Sequence, residues 1–512
     1  LTSMYLYSLL VLHSAIALSY AAVQVSVPAT PSGSNVVQSN FLGISFELSF
    51  VPEYFGNDST KINVPMLNYL GCIRERMGAN PVRLRIGGNS ADDSPYVAES
   101  SSPAVQLLPG TFNSNDQGVT YNSDLWPLLA AVSKSINGAA YLITVAPNAS
   151  LSNDIRNTLG DSLDGMILGN EPDLYTGHKK RPNVQNYTVD DYIADFQAGL
   201  NTIGTQDTNG KKDVSGPGIC CNWDLKALLE QGYLSNFTSD LKYISVQHYP
   251  QNNCGGPIKY QLPYYIQHNN VVDLATWQQA GIDYLQAQPA EGRPQLISSE
   301  FNSASCGGIP SLSPSFAVGS LWTLDYSLQM ASKFYQQAFI HTREAGISYN
   351  LLAPPVGPAG SPGSWTTNAP YYAMLVMAEA LLSDGGSIVS DLNLSGSMTD
   401  GNAINAAYAV YNAGNKTVSR LIIFNYGNSS TDFALPASVF SSSGTALVKF
   451  LAAATVEETT NISWGGETWG PGVSDGKTTL SPSWAAPNVN LKDCSSSGCS
   501  FTAPGPSLSM VF

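Results

Sequence analysis

The chain has 512 residues, of which 43% are hydrophobic and only 12% charged, with 45 Gly, 31 Pro and 26 Tyr. That length exceeds what one hydrophobic core usually fills, so roughly two domains are expected, and the apolar fraction excludes disorder. A net charge of −15 repels polyanions, which argues against nucleic acid and strongly sulfated polysaccharides as partners.

The leader, residues 1–21, is apolar from Met4 to Ala17 and has small residues at Ser19 and Ala21, the pattern of a removable signal peptide. It is short for a membrane anchor and interrupted by Ser8, His13 and Ser14. No later segment is long and apolar enough to span a bilayer, so no membrane association is expected after cleavage. Sequons for N-glycosylation begin at Asn57, Asn148, Asn186, Asn236, Asn393, Asn415, Asn428 and Asn461. Leader and sequons together point to a secreted glycoprotein.

In that compartment the seven cysteines become disulfide candidates. Cys494 and Cys499 can close a short loop, and Cys254 and Cys306, each following a strand-like run, can tie two neighbouring loops. Cys220 and Cys221 are adjacent and are not expected to bond each other, because that geometry is strained. The odd count leaves at least one thiol free or paired between chains. No C-x-x-C or H-x-x-x-H spacing occurs, which disfavours zinc.

The segment Val23–Pro28, within residues 22–39, alternates as a strand. Residues 40–385 then alternate short strand-like runs with helical stretches. Strands are read at Gly43–Leu48, Val82–Ile86, Ala140–Val145, Gly165–Gly169, Val214–Ser215, Tyr243–Gln247, Gln295–Ser299 and Gly346–Leu351, with amphipathic segments such as Leu125–Ser135, Val189–Ile203 and Ser320–Glu344 between them. This α/β pattern predicts a (β/α)8 TIM barrel with long loops. A doubly wound sheet would need a Gly-rich phosphate turn after the first strand, and GISFELSFVPEY is not one. Residues 386–512 are β-rich runs separated by Gly, Asn, Ser and Pro, which predicts a C-terminal β-sandwich, completed by the alternating segment at the amino end.

Two glutamates stand where such a barrel does chemistry. MILGNEPDLY runs a strand into Asn170-Glu171-Pro172, and the proline keeps Glu171 out of helical torsions and extended at the strand end. PQLISSEFNSASCGG runs another strand into Glu300. These are the fourth and seventh strands, whose ends can face each other across the barrel mouth. One carboxyl can then protonate a leaving oxygen while the other attacks an anomeric carbon, the chemistry of a glycoside hydrolase. The neighbour's charge keeps the acid protonated. Either glutamate alone could equally pair with an arginine or cap a helix. His248, at the end of the sixth strand, is read as orienting Glu300 or a sugar hydroxyl, or else as a hydrogen-bonded structural group. Of Arg83 and Arg85, one is expected to neutralise Glu300 from below, and the sequence does not choose. Asp92 and Asp93 read as solvated loop charges.

RLRIGGNS at Arg83–Ser90, GNEP at Gly169–Pro172, EFNSASCGGIP at Glu300–Pro310 and SFAVGSLWTLDY at Ser315–Tyr326 resemble glycoside hydrolase family 79 of clan A, the group of heparanase and microbial β-glucuronidases. The resemblance implies Glu171 as acid/base, Glu300 as nucleophile and Asn170 on the sugar 2-hydroxyl. Glu47 and Asn89 would hold other hydroxyls. It also implies an anion nest for the sugar's carboxylate, made of backbone N–H groups in the loop Ser305-Cys306-Gly307-Gly308 together with Tyr349 on the last strand, or with Tyr249. Heparanase-like sequences have a tyrosine and a glycine where this chain has Ser305 and Cys306. A backbone contact survives that change; a tyrosine hydroxyl contact does not.

The expectation is therefore a secreted retaining exo-β-glucuronidase that needs no metal or organic cofactor. Its substrate would be a carbohydrate or aryl glucuronide with terminal β-D-glucuronic acid, 4-O-methylated or not. The alternatives are a neutral-sugar glycosidase (β-xylosidase or arabinofuranosidase type), an endo-β-glucuronidase, and a non-catalytic carbohydrate-binding protein. The sequence assigns no oligomeric state.

Overall fold

The computed structural model describes residues 21–100, 103–109, 117–181, 183–204, 211–355, 364–441, 444–480 and 482–512. The expected signal peptide, Ala21 apart, lies outside the described residues. Eight parallel strands close a barrel in sequence order: β1 (Leu42–Glu47), β2 (Val82–Gly87), β3 (Ala139–Val145), β4 (Leu163–Leu168), β5 (Val214–Ile219), β6 (Leu241–His248), β7 (Gln295–Phe301) and β8 (Tyr335–Thr342). The strands are buried on both faces, as a parallel barrel ringed by helices requires. Leu142, Ile167, Tyr243, Ile297 and Phe339 fill the barrel's interior.

Two expectations about the strands are corrected. β5 continues beyond Ser215 to Ile219. The eighth strand is Tyr335–Thr342, not Gly346–Leu351. The helix that enters it stops at Ser332, and Gln336-Gln337, which reads as a helix surface, already belongs to the strand. Gln337 points into the barrel, where its amide donates to the Tyr243 hydroxyl at 2.7 Å. Residues 346–351 form the loop that follows.

After the barrel, the strands Ser387–Asp391, Asn405–Asn412, Val418–Asn425, Ser507–Val511 and Ala446–Ala452 join an antiparallel sheet. A second sheet combines Thr431–Leu435, Cys499–Ala503 and the amino-terminal pair Val23–Gln24, with Val23 beside Phe433. Alternate residues of the two sheets, among them Ala407, Ile423 and Phe450 against Val25, Phe433 and Phe501, enclose one core. The opposite face of the larger sheet, including Tyr408, Ile422 and Phe424, shares the barrel's core. Buried His268 bridges this junction: Nδ1 faces Asp325 at 2.9 Å and Nε2 faces Asp391 at 2.8 Å. The Tyr408 and Tyr426 hydroxyls also donate to Asp325.

Disulfides join Cys254 to Cys306 and Cys494 to Cys499, and Cys72 is unpaired. Cys220 and Cys221 are bonded to each other, contrary to expectation. The Asp173 carboxylate accepts the consecutive N–H groups of Cys220, Cys221 and Asn222 and so folds this stretch into a tight turn. Among the described residues, no helix is long and apolar enough to cross a membrane.

Candidate active site

The carboxyl ends of the barrel strands surround one cavity of about 770 Å³, lined by Glu47, Asn89, Glu171, Tyr249, Glu300 and Tyr349 among others. Glu300 reaches it through a bulge. Pairing of β6 with β7 steps from Val246–Ser298 to Gln247–Glu300, skipping Ser299. This lets Glu300 turn inward while Phe301 packs outward on Trp322 and Tyr326.

Glu171 is left-handed rather than extended, with φ 48° and ψ 56°. Pro172 does keep it from the right-handed helical region. The remaining choice is made by hydrogen bonds: the Glu171 N–H donates to Gly218 and its carbonyl accepts from Leu174 at 2.9 Å. Such strain persists only where the surroundings over-determine it. Asp92 contributes, accepting the Asn170 N–H at 3.2 Å. It is half-buried behind the strand end, not a solvated charge, and Asp93 pairs with Lys180.

Arg85 settles the choice between the two arginines. It is fully buried and bonds Glu300 through Nη1, while Nη2 donates to Asn170 Oδ1 at 2.7 Å. Arg83, lower in the barrel, pairs with Asp164 at 2.8 Å. Asn170 Oδ1 also accepts from Gln247, and its amide donates to Asn89 at 2.8 Å. The Tyr249 hydroxyl donates to Glu300 Oε1 at 2.6 Å. Glu47 accepts from the N–H and hydroxyl of Ser90 at 2.7 and 2.5 Å. Gly88, at φ +80°, makes that approach possible, since a Cβ there would lie 2.1 Å from the Glu47 carboxylate.

These surroundings push the two central carboxyls apart. Burial, then the charges of Glu300 and Asp173, raise the pKa of Glu171 well above the usual carboxylate range. Burial would raise Glu300 too, but His341, Arg85 and the Tyr249 hydrogen bond outweigh it and hold Glu300 low. One cavity thus holds a carboxyl pushed toward its protonated form and another held toward its ionised form, the kind of pair a glycoside hydrolase uses as acid and nucleophile.

The nest loop also lies here. Cys306 lines the cavity with a left-handed backbone, φ 58°, and its bond to Cys254 fastens it to the loop after β6. Gly307 and Gly308 follow with positive φ. Tyr349 stands in the loop beyond β8, not on the strand, with the Ser348 N–H donating to the Gly307 carbonyl at 3.0 Å.

His248 does not join the group. It stacks on Trp277 at 4.3 Å, and desolvation lowers its pKa to about 4. Strand alternation turns Gln247 and Tyr249 inward and His248 outward. The reading that placed it beside Glu300 is corrected accordingly.

Sequence reasoning missed His341 and Arg343. The His341 ring stands 2.9 Å from Ser45, 3.3 Å from Glu47 and 3.8 Å from Glu300. Both residues were hidden inside the segment read as helix. Alternation in the run Gln337, Phe339, His341 is the signal that would have exposed them.

Residues 407–508 match the glycosyl hydrolase family 79 C-terminal β domain. A β-glucuronidase of Aspergillus niger is 25% identical over 508 residues, covering 90% of this chain and 88% of that protein. The chain is a glycoside hydrolase, and its carboxyl-terminal domain is similar to that of family 79. A Neurospora crassa β-glucuronidase is likewise 25% identical, over 79% of this chain and 75% of that protein. In fold, the chain matches the crystal structure of a Fusarium oxysporum 4-O-α-L-rhamnosyl-β-D-glucuronidase. The TM-score is 0.75 at 19% identity, covering 96% of this chain and 100% of that one.

Proposed function

We propose that the protein is a secreted, retaining exo-β-glucuronidase that releases terminal β-D-glucuronic acid, 4-O-methylated or not, from glycans or aryl glucuronides. The observation that carries the reading is the opposed titration of Glu171 and Glu300 in one cavity. Similarity to two β-glucuronidases over most of the chain supports the choice of sugar.

Glu171 protonates the glycosidic oxygen as Glu300 attacks the anomeric carbon, giving a glycosyl ester on Glu300. Glu171, now ionised, takes a proton from water, which attacks that ester and restores both carboxyls. Asn170 has both acceptor positions filled and one N–H committed to Asn89. Its second N–H remains to donate to the sugar 2-hydroxyl. Three disulfides and the exposed sequon residues Asn186, Asn236, Asn393, Asn415 and Asn428 support the extracellular setting.

Hydrolysis of matched p-nitrophenyl β-glucuronide, β-xyloside and β-glucoside, with Glu300→Gln as control, tests the reading. Turnover of the glucuronide, abolished in the variant, supports it. Turnover of a neutral glycoside alone overturns the sugar assignment. No turnover of any of them favours an endo-enzyme or a binding protein.

A further inference from the structure

Arg343, one residue past β8, lines the same cavity and is 6% exposed. Its backbone is fixed on both sides. The N–H donates to Asn350 Oδ1 at 2.9 Å, and the carbonyl accepts from the Tyr54 hydroxyl at 2.5 Å and from Asn350 at 3.2 Å.

Its guanidinium is poorly satisfied for a buried cation. Glu344 is its one ion-pair partner among the described residues, at 3.1 Å from Nε, yet Nε makes no aligned hydrogen bond. Nη2 reaches Glu344 only at 3.4 Å, and Nη1 donates to none of the described residues. Buried charges are costly unless paired and hydrogen-bonded, so unspent donors in a cavity point to an absent acceptor.

The surroundings identify that acceptor. Glu47 and Glu300 give the cavity an acidic wall, against which an anionic substrate needs a cation. Arg85 is occupied by Glu300 and Asn170, and His341 stands against Glu47 and Glu300. Burial holds His178 toward its neutral form, and Lys259 stands on the exposed rim. Arg343 remains. Tyr349 and the Gly307-Gly308 turn are close by: a Cβ on Gly308 would lie 3.1 Å from that of Tyr349, and the Arg343 charge acts on the Tyr349 hydroxyl.

We propose that Arg343 is a specificity-determining residue that takes the sugar's carboxylate on its free guanidinium edge, beside the Tyr349 hydroxyl. The inference rests on the glucuronidase reading. It adds a cation to a carboxylate site that the sequence leads one to build from backbone amides and tyrosine alone.

The test compares p-nitrophenyl β-glucuronide with its uncharged methyl ester on the wild type, Arg343→Gln and Arg343→Lys. The expected result for Arg343→Gln is a loss on the order of a hundredfold in kcat/KM on the acid and little change on the ester. Arg343→Lys should lose about tenfold on the acid, because an ammonium keeps the charge but not the planar fork. The pH profile on the ester should not move. Equal loss on acid and ester, or an unchanged acid-to-ester ratio, would overturn the assignment. Should Arg343→Gln not fold, the ratio in Arg343→Lys decides. A wild type inactive on the glucuronide refutes the glucuronidase reading itself, whereas an active wild type with an unaltered ratio in the variants refutes Arg343 alone.

Discussion

Arg85 donates to Glu300 from beneath, fully buried, and through its second Nη also holds Asn170, the residue before Glu171. With His341, this side chain therefore holds Glu300, the proposed nucleophile, toward its ionised form, and it also ties down the strand end that carries Glu171, the proposed acid. Arg85→Met removes the cation and leaves Glu300 buried without it. The expected result is a fall of roughly 10²-fold or more in kcat/KM at neutral pH, with the acidic limb of the pH profile moving upward as Glu300 becomes harder to ionise. Stability should drop by about 3–5 kcal/mol. An unmoved acidic limb in a folded variant would show that Arg85 does not tune Glu300.

The raised pKa of Glu171 and the lowered pKa of Glu300 imply a bell-shaped dependence of kcat/KM on pH. In the proposed roles, activity needs Glu300 ionised, so it falls as pH drops through the lower value. It needs Glu171 protonated, so it also falls as pH rises through the upper one. Because the two groups interact, both limbs report the pair. Glu171→Gln should cost roughly 10²–10⁴-fold on substrates with poor leaving groups and remove the basic limb. A persisting basic limb would assign the acid elsewhere.

A second pH dependence belongs to stability. Burial alone would lower the pKa of His268, but Asp325 and Asp391 outweigh it and raise it to about 10. This stabilisation is fully present below the ordinary histidine value near 6.5 and is lost as pH rises through about 10. His268→Gln should lower stability by about 3 kcal/mol near neutral pH, read as a lower Tm, and flatten the decline of Tm with alkaline pH. Catalysis by the folded variant should be unchanged, since His268 lies at the barrel–sandwich junction.

Cys306 occupies a backbone position that glycine prefers, and its bond to Cys254 holds two cavity loops together. Cys254→Ser with Cys306→Ser should cost about 2–4 kcal/mol and raise KM. Cys254→Ser with Cys306→Gly should recover about 1 kcal/mol, because glycine has no Cβ penalty at positive φ. Equal Tm values for the two double variants would contradict this.

Barrel, sandwich and the Glu171–Glu300 juxtaposition were legible because each rests on local pattern: apolar strands ending in acidic residues, then a change to β-rich texture. What stayed hidden depends on contacts across the fold. Gln337 and His341 face the barrel interior, where polar partners replace the apolar face that strand periodicity looks for. Cys220 and Cys221 close on each other through Asp173, 47 residues away along the chain from Cys220. Asp92 reads as a loop charge until the fold brings Asn170 against it. His248 differs from Gln247 and Tyr249 only in strand parity, which a bulge or a one-residue shift reverses.

The central claim, that Glu171 and Glu300 act as a retaining pair on a glucuronide, is tested most directly by the anomer released first. Hydrolysis of p-nitrophenyl β-D-glucuronide followed by proton NMR from the earliest turnovers should show β-glucuronic acid appearing first, with the α-anomer growing only by mutarotation. First appearance of the α-anomer would mean a single displacement by water and would contradict the role of Glu300 as nucleophile.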